Sequence, residues 1–339
     1  MTISIIIPIY NVEQYIEECL FSVASQLNPG AHVECILVDD CSPDRSMDIV
    51  NEFVANYHGN VLFRVLRHEV NRGVSAARNT GIKAATGEYV LFVDADDYLF
   101  EHCLAEMLKG LGLCPEADVV QMNSLWLGGA PYSKRNGSVV LSSKADRLRA
   151  LVSYAVHVNP WNRLVRRTLL LRHGLFFAEG IVFEDYLWSY RLMAAASHVV
   201  VMPQVTYYYR PVPTSIMHSR DNRLYRTAHS WDVILTTMLG MKGNIRGCLL
   251  VNVLSRLLEI KGMESQQPCT ERETEAVRSL QTKLLGAVCH CKRPLLMLFA
   301  LTVLTPFRYV YSLSVVRRNY HKLERGLLEL ELMADRLAW

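Results

Sequence analysis

The sequence predicts an α/β protein whose mostly parallel sheet is flanked by helices and followed by a mostly helical extension, and three observations predict it. Over the first hundred residues, apolar runs of strand length alternate with amphipathic runs of helix length. Three of the apolar runs stop in polar or charged residues, at Tyr10-Asn11, at Asp39-Asp40 and at Asp94, Asp96 and Asp97. From about residue 221 onward the pattern is mostly helical.

Each element follows from its own residues. "ISIIIPIY" (3–10) is a β-branched run into Pro8 and predicts the first strand; residues 12–27 predict an amphipathic helix. "VECILVDD" (33–40) predicts the second strand, "DRSMDIVNEFVANY" (44–57) a helix, and "VLFRVLRH" (61–68) the third strand. "VSAARNTGIKAATG" (74–87) predicts a helix, and Tyr89 to Val93 a strand buried on both faces. Repeated β-α-β units imply parallel strands, with ligands at their C-terminal edge, so the three polar strand ends should converge on one crevice. Beyond residue 110, strands are expected over 117–127, 137–143 and 198–210, and helices over 143–156 and 181–196. "PWNRLVRRTLLLRHG" (160–174) opens on a Pro and closes on a Gly, the punctuation of a short helix.

Charge is unevenly spread. The net charge is +3, yet residues 1–110 hold 7 Lys/Arg against 16 Asp/Glu, a balance of −9. Residues 111–224 and 225–339 each stand at +6. An acidic first third argues against direct nucleic-acid binding, and a phosphate bound there would need a cation as intermediary. Nine cysteines without regular spacing do not suggest a disulfide framework, and Cys289-His290-Cys291 lacks a second ligand pair at zinc-site spacing. Reduced thiols, and a first strand without a basic leader, lead us to expect a cytoplasmic protein. Pro294 to Val316 is largely apolar between Lys292-Arg293 and Arg317-Arg318, but Pro306 and Arg308 interrupt it. An interfacial helix pair fits that stretch better than a membrane span, so peripheral contact with a membrane is expected.

The chemistry centres on Asp94 and Asp96. Two carboxylates leaving a buried strand two residues apart form a small site of hard oxygens, suited to Mn²⁺ or Mg²⁺ with substrate phosphates completing the shell. A calcium loop counted from Asp94 would want Gly at position six and Glu at twelve, where the chain has Leu99 and Ala105. Other readings are a phosphohydrolase with Asp94 as nucleophile, a silent nucleotide or sugar binder, and a nucleotide-sugar transferase.

The blocks "SIIIPIYNVEQYIEECLFSVASQ", "ILVDDCSPDRSMDIV", "NRGVSAARNTGIKAATGEYVLFVDADDYL", "PWNRLVRRTLL", "EGIVFEDYLWSYRL" and "YYYRPVPTSIMHS" resemble, in order and spacing, a family-2 glycosyltransferase of the GT-A type, as in bacterial polysaccharide assembly. The resemblance covers roughly the first two-thirds of the chain and implies a Rossmann-like donor half (1–110), an acceptor half (111–220) and a helical region from 221 to 339. It implies an inverting transferase that takes a sugar from a nucleoside-diphosphate donor, expected to be a UDP-sugar. The acceptor would be a cell-surface glycan or a polyprenyl-diphosphate-linked saccharide at the inner face of the cytoplasmic membrane. Residue by residue, Pro8, Tyr10 and Glu13 would line the nucleotide pocket, and Asp39 would accept a hydrogen bond from the base. Asp94 would face ribose or metal, Asp96 would ligate the metal, and Asp185 would be the catalytic base. Arg210, Ser215 and His218 would reach the diphosphate. Cys41 departs from the family's usual Gly in this turn, which puts the turn geometry in question.

The residues give some of this independently. Inverting transfer needs one carboxylate to take the acceptor proton, and Glu184-Asp185 stand at an expected helix start, where negative charge is favoured. The same pair also suits a plain helix N-terminus. Arg72, in the Asn71-Gly73 loop, could pair with a phosphate. Arg78-Asn79 read as capping or phosphate-binding, Tyr207 to Tyr209 as core or sugar-stacking, and His157 and His173 as structural.

Overall fold

The computed structural model describes residues 1–26, 31–125, 131–133, 136–212, 222–240, 247–264 and 269–290. Ser215, His218 and the apolar stretch 294–316 lie outside the described residues. The chain forms two compact units, one drawn from Met1–Gly180 and Glu184–Ser215, the other from Ile181–Phe183 and Ile216–Trp339.

In the first unit, β1 (Thr2–Ile9), β2 (His32–Asp39), β3 (Val61–Arg67) and β4 (Tyr89–Phe92) run parallel in the spatial order β3-β2-β1-β4. The chain leaves β1 to one side and returns to pair on its other side at β4, so the winding reverses there and the strand ends open a crevice. Pro8 is tolerated in this central strand because pairing with β4 stops at Ile6↔Phe92. The connecting helices are α1 (Ile16–Ala24), α2 (Ser46–Asn56) and α3 (Val74–Ala84). Ile3, Ile5, Ile7 and Ile9, on one face of β1, bury against Ile16, Cys19, Leu20 and Val23 of α1 and Met47 and Val50 of α2. On the other face α3 approaches so closely that a Cβ on Gly81 would fall 2.3 Å from Ile6 Cγ2.

Beyond β4 the sheet becomes mixed. The order continues β4-β8-β6-β9-β5, with β5 (Tyr98–Leu99), β6 (Val119–Leu125), β8 (Arg163–Arg166) and β9 (Val199–Tyr208); β7 (Val139–Leu141) pairs with β9. Here β6 and β9 are parallel, while β8 runs antiparallel between β4 and β6. The helices of this half are α4 (Cys103–Leu113), α5 (Lys144–Val152), α6 (Arg167–Arg172) and α7 (Glu184–Ala195).

The strand β8 corrects the helix expected over 160–174. Leu164 and Val165 are fully buried between two strands, Asn162 turns the chain with φ 57° and donates to the Asn123 carbonyl at 2.7 Å, and helix begins only at Arg167. Ladder bonds to β4 and β6 override the local Pro-to-Gly punctuation. The two-residue β5 was not anticipated either; it pairs antiparallel with Tyr207 and Tyr208 of β9.

In the second unit, α8 (Arg223–Gly240), α9 (Gly247–Glu264) and α10 (Glu271–His290) are joined by contacts such as Lys283 Nζ to Asp232 Oδ2 at 2.6 Å. The 181–183 segment belongs with them: the Val182 N–H donates to Ser230 Oγ at 2.9 Å, and the Phe183 ring lies 5.6 Å from that of Trp231. Among the described residues no helix is long and apolar enough to cross a membrane.

Candidate active site

The three aspartates that follow β4 have different surroundings. Asp97 is buried and structural: its carboxylate accepts the Tyr207 hydroxyl at 2.6 Å and the Arg210 backbone N–H at 2.8 Å. The Tyr207 oxygen also accepts the Asp94 N–H at 3.2 Å, and its ring stacks on Trp161 at 4.4 Å, 5° from parallel. Tyr207 is therefore a buried brace for the loop and is not available to stack on a sugar. Arg210 Nε donates to the Asp96 carbonyl at 2.8 Å, while its guanidinium pairs with Glu18 and lies over the Tyr15 and Tyr98 rings. The arginine expected near the diphosphate thus stands at the loop itself.

Asp94 and Asp96 remain half-buried at the crevice. Asp94 Oδ1 accepts Arg78 Nη2 at 2.7 Å, and Glu184 Oε1 accepts Arg78 Nη1 at 3.0 Å. One buried guanidinium therefore links the end of β4 to the start of α7. Its burial would depress its affinity for a proton, but the carboxylates of Asp94 and Glu184 override this and hold it above its ordinary value. The sequence leaves Arg78 open between binding backbone or phosphate near the crevice and a capping or packing role. The available signal was its position: a cation one helical turn past the crevice loop, in the strongly acidic third. Its neighbour Asn79 is structural, with Nδ2 donating to the Phe177 carbonyl at 3.0 Å and Oδ1 accepting the Phe177 N–H at 2.8 Å.

Asp185 opens α7 beside Glu184 and is half-buried. Burial first, and then the Glu184 charge, push its carboxyl up to about 7, with Arg78 opposing them. Its Oδ1 accepts the Tyr186 N–H at 2.8 Å. A carboxylate poised near neutrality is suited to accept a proton at physiological pH. Phe183, immediately before the pair, has φ 62°, a strained conformation for a bulky residue.

The edge where the sequence expects the nucleotide is built from the loops after β1, β2 and β3. Asn11 N–H donates to Ser42 Oγ (2.8 Å), Glu13 N–H to Asp44 Oδ2 (2.8 Å) and Arg45 N–H to Glu13 Oε2 (3.0 Å), joining the first two loops. Pro8 is half-buried and Tyr10 exposed on this edge. Asp39 lies buried below, accepting the Ser42 N–H and Arg67 Nε, each at 2.8 Å. Those bonds leave further lone pairs on the carboxylate. Asp40, which the sequence marked only as a strand end, organises the third loop by accepting the Arg72 and Gly73 N–H groups at 2.9 and 2.7 Å. The Arg72 side chain meets Glu179 at 3.2 Å, away from Asp94 and Asp96 in its bonding. Cys41 keeps the turn that a Gly would make, at φ 59°.

The acidic end of β4 fits a divalent cation. Burial and the adjacent Asp94 raise Asp96 to about 6, and among the described residues no side chain donates to its carboxylate. A half-buried acid that receives no side-chain donor, beside another that, among the described residues, pairs with one guanidinium, offers oxygen ligands of the kind Mn²⁺ and Mg²⁺ take.

Comparisons with known proteins bear on the family and the fold. The family model for Glycosyl transferase family 2 matches residues 4–171. The chain is 34% identical over 226 residues to the uncharacterized glycosyltransferase EpsJ of Bacillus subtilis (strain 168), covering 63% of this chain and 62% of that one. It is 48% identical over 213 residues to a poly(ribitol-phosphate) beta-glucosyltransferase of Bacillus spizizenii, covering 62% of this chain and 32% of the relative. The match thus spans less than two-thirds of either relative's length. Staphylococcus aureus TarS 1–349, solved in complex with UDP-GlcNAc, superposes with a TM-score of 0.71 at 23% identity, over 95% of this chain and 92% of that chain. At that identity the likeness establishes the fold.

Proposed function

The chain belongs to glycosyl transferase family 2, and from that premise we propose that it is a transferase that moves a sugar from a UDP-sugar to a hydroxyl of a cell-surface glycan or lipid-linked saccharide, with inversion. The observation that carries the reading is the Arg78 bridge, which sets the Asp94 and Glu184 carboxylates on one guanidinium and so puts Asp185 beside the end of β4. The UDP-GlcNAc complex of TarS and the poly(ribitol-phosphate) acceptor named for the Bacillus spizizenii relative support the donor and the acceptor class.

Each group has a task in this scheme. Pro8, Tyr10 and Glu13 line the uridine side, and Asp39 accepts from the base N–H. Asp96, with Asp94, holds Mn²⁺ or Mg²⁺, which when bound offsets the negative charge gathering on the departing diphosphate. Arg210, anchored to the same loop, places a further positive charge there, and Arg72 flanks the phosphates if it exchanges Glu179 for them. Ionised Asp185 takes the acceptor proton as the hydroxyl oxygen bonds to the anomeric carbon; the carbon–oxygen bond to UDP breaks with its electron pair on UDP. Glu184 keeps Arg78 in place and raises the basicity of Asp185. A phosphohydrolase would need Asp94 as a free nucleophile, whereas one of its oxygens is engaged by Arg78.

In this reading residues 1–110 serve the donor, residues 111–220 the acceptor, and residues 221–339 are a mostly helical extension. The 294–316 stretch lies peripherally on the inner face of the cytoplasmic membrane, bringing the site to lipid-linked acceptors. A screen of UDP-, GDP- and dTDP-sugars by thermal shift, with and without Mn²⁺, tests the donor assignment. Only UDP-sugars should raise the melting temperature, EDTA should cancel the gain, and Asp96→Ala should remove it. Equal stabilisation by all three nucleotides would refute the base-recognition part.

A further inference from the structure

A second group of ligand-type side chains stands away from the crevice. Cys114, Glu116 and His198 each offer one ligand atom, and the three atoms lie within 4.8 Å of one another. They come from separate places: Cys114 ends α4, Glu116 sits in the turn into β6, and His198 immediately precedes β9. Backbone bonds fix that arrangement, with Ala117 N–H donating to the Cys114 carbonyl and Asp118 N–H to the His198 carbonyl, each at 2.9 Å. Cys114 is buried, His198 half-buried and Glu116 exposed, and Arg166, paired with Asp118, donates to the Pro115 and Ala117 carbonyls of the same turn.

A separate observation points to a missing partner. His198 Nδ1 is sealed from solvent and has no hydrogen-bond partner. A buried ring nitrogen in that condition costs free energy unless something meets it. Ordinary hydrogen bonding within the cluster does not supply that partner.

We propose that Cys114, Glu116 and His198 bind a Zn²⁺ ion, which staples the end of α4 to the entry of β9. Thiolate, imidazole and carboxylate are a tetrahedral zinc donor set, with water as the fourth ligand. Ligands at usual zinc bond lengths sit about 3.5 Å apart, so side-chain rotation of roughly an ångström closes the site. On binding, the Cys114 thiol releases its proton to solvent as the sulfur–zinc bond forms. Mn²⁺ and Mg²⁺, which prefer all-oxygen shells, are poor occupants.

This site is independent of the transfer reading because it lies at the opposite edge of the sheet. Val119 pairs with Val199 and with Val165, and Val165 pairs with Val90 near the start of β4. The cluster just precedes Val119 and Val199, so about four residues of strand, roughly 13 Å at 3.3 Å per residue, separate it from Asp94.

The full chain, stripped of metal, tests the proposal with Co²⁺ as a spectroscopic probe. In an Asp94→Asn/Asp96→Asn background, which disables the acidic crevice, one equivalent of Co²⁺ should give a sulfur-to-cobalt charge-transfer band with the intense visible bands of a tetrahedral ion. Cys114→Ser should abolish the sulfur band, and His198→Gln should weaken binding by at least about tenfold. Glu116→Gln, at an exposed position that leaves the fold intact, should weaken it as well. Zn²⁺ should displace Co²⁺ and raise the melting temperature. Absence of the sulfur band, its survival in Cys114→Ser, or unchanged affinity in both other variants would overturn the proposal.

Discussion

Arg78 is 4% exposed and yet charged, and it survives burial only because two carboxylates share it. Replacing it by Met would leave Asp94 and Glu184 facing each other without a counter-ion, at a cost of about 3 kcal/mol in chemical denaturation. Arg78→Lys keeps the charge but loses the two-pronged bridge, so kcat should fall further than stability does. Asp185 makes a second residue-scale prediction. Its carboxyl is raised to about 7, and a base acts only when ionised, so kcat/KM should climb with pH through about 7. Glu184→Gln removes the like charge, lowers the affinity of Asp185 for its proton and should move that acid limb to lower pH. A limb that stays in place, or moves upward, would separate Asp185 from the pH profile.

At the scale of elements, α3 lies against β1 because position 81 has no side chain. Gly81→Ala forces its Cβ into Ile6 and should destabilise the fold by about 1–3 kcal/mol in a urea titration. The turn after β2 behaves oppositely. Cys41 holds φ 59°, so Cys41→Gly should stabilise by about 1 kcal/mol, the left-handed penalty less the extra chain entropy of glycine. The β1, β2 and β4 ends were legible in sequence because the parallel strands of β-α-β units all finish at one edge of the sheet, whatever their order across it. By contrast, β8 was misread: its strand character comes from β4 and β6, whose pairing residues lie some 40 to 80 positions away. Asp185 lies 91 residues beyond Asp94, so local pattern alone left it as a helix-start charge and the family resemblance singled it out.

Across the whole molecule, carboxylates at the two edges of the sheet have opposite energetics. Near the opposite edge, burial of Glu34 is outweighed by hydrogen bonds from Ser4, Thr86 and Arg64, which lower it to about 2. Its stabilising contribution is present above its unfolded value near 4.5 and is lost as pH falls toward 2; Glu34→Gln should cost on the order of 2 kcal/mol at neutral pH and much less near pH 2. At the crevice, Asp96 and Asp185 are raised to about 6 and about 7, so their ionisation lowers stability as pH rises through those values. A divalent ion relieves that repulsion, and the gain in melting temperature from Mg²⁺ should grow between about pH 5 and pH 7.5.

The most direct measurement pairs donor binding with transfer in Asp185→Asn. The account predicts that UDP-sugar binding in the presence of Mn²⁺ stays within a few-fold of the unaltered protein, while transfer to acceptor falls about 10²–10⁴-fold. Transfer at the unaltered rate, with binding equally intact, would contradict it.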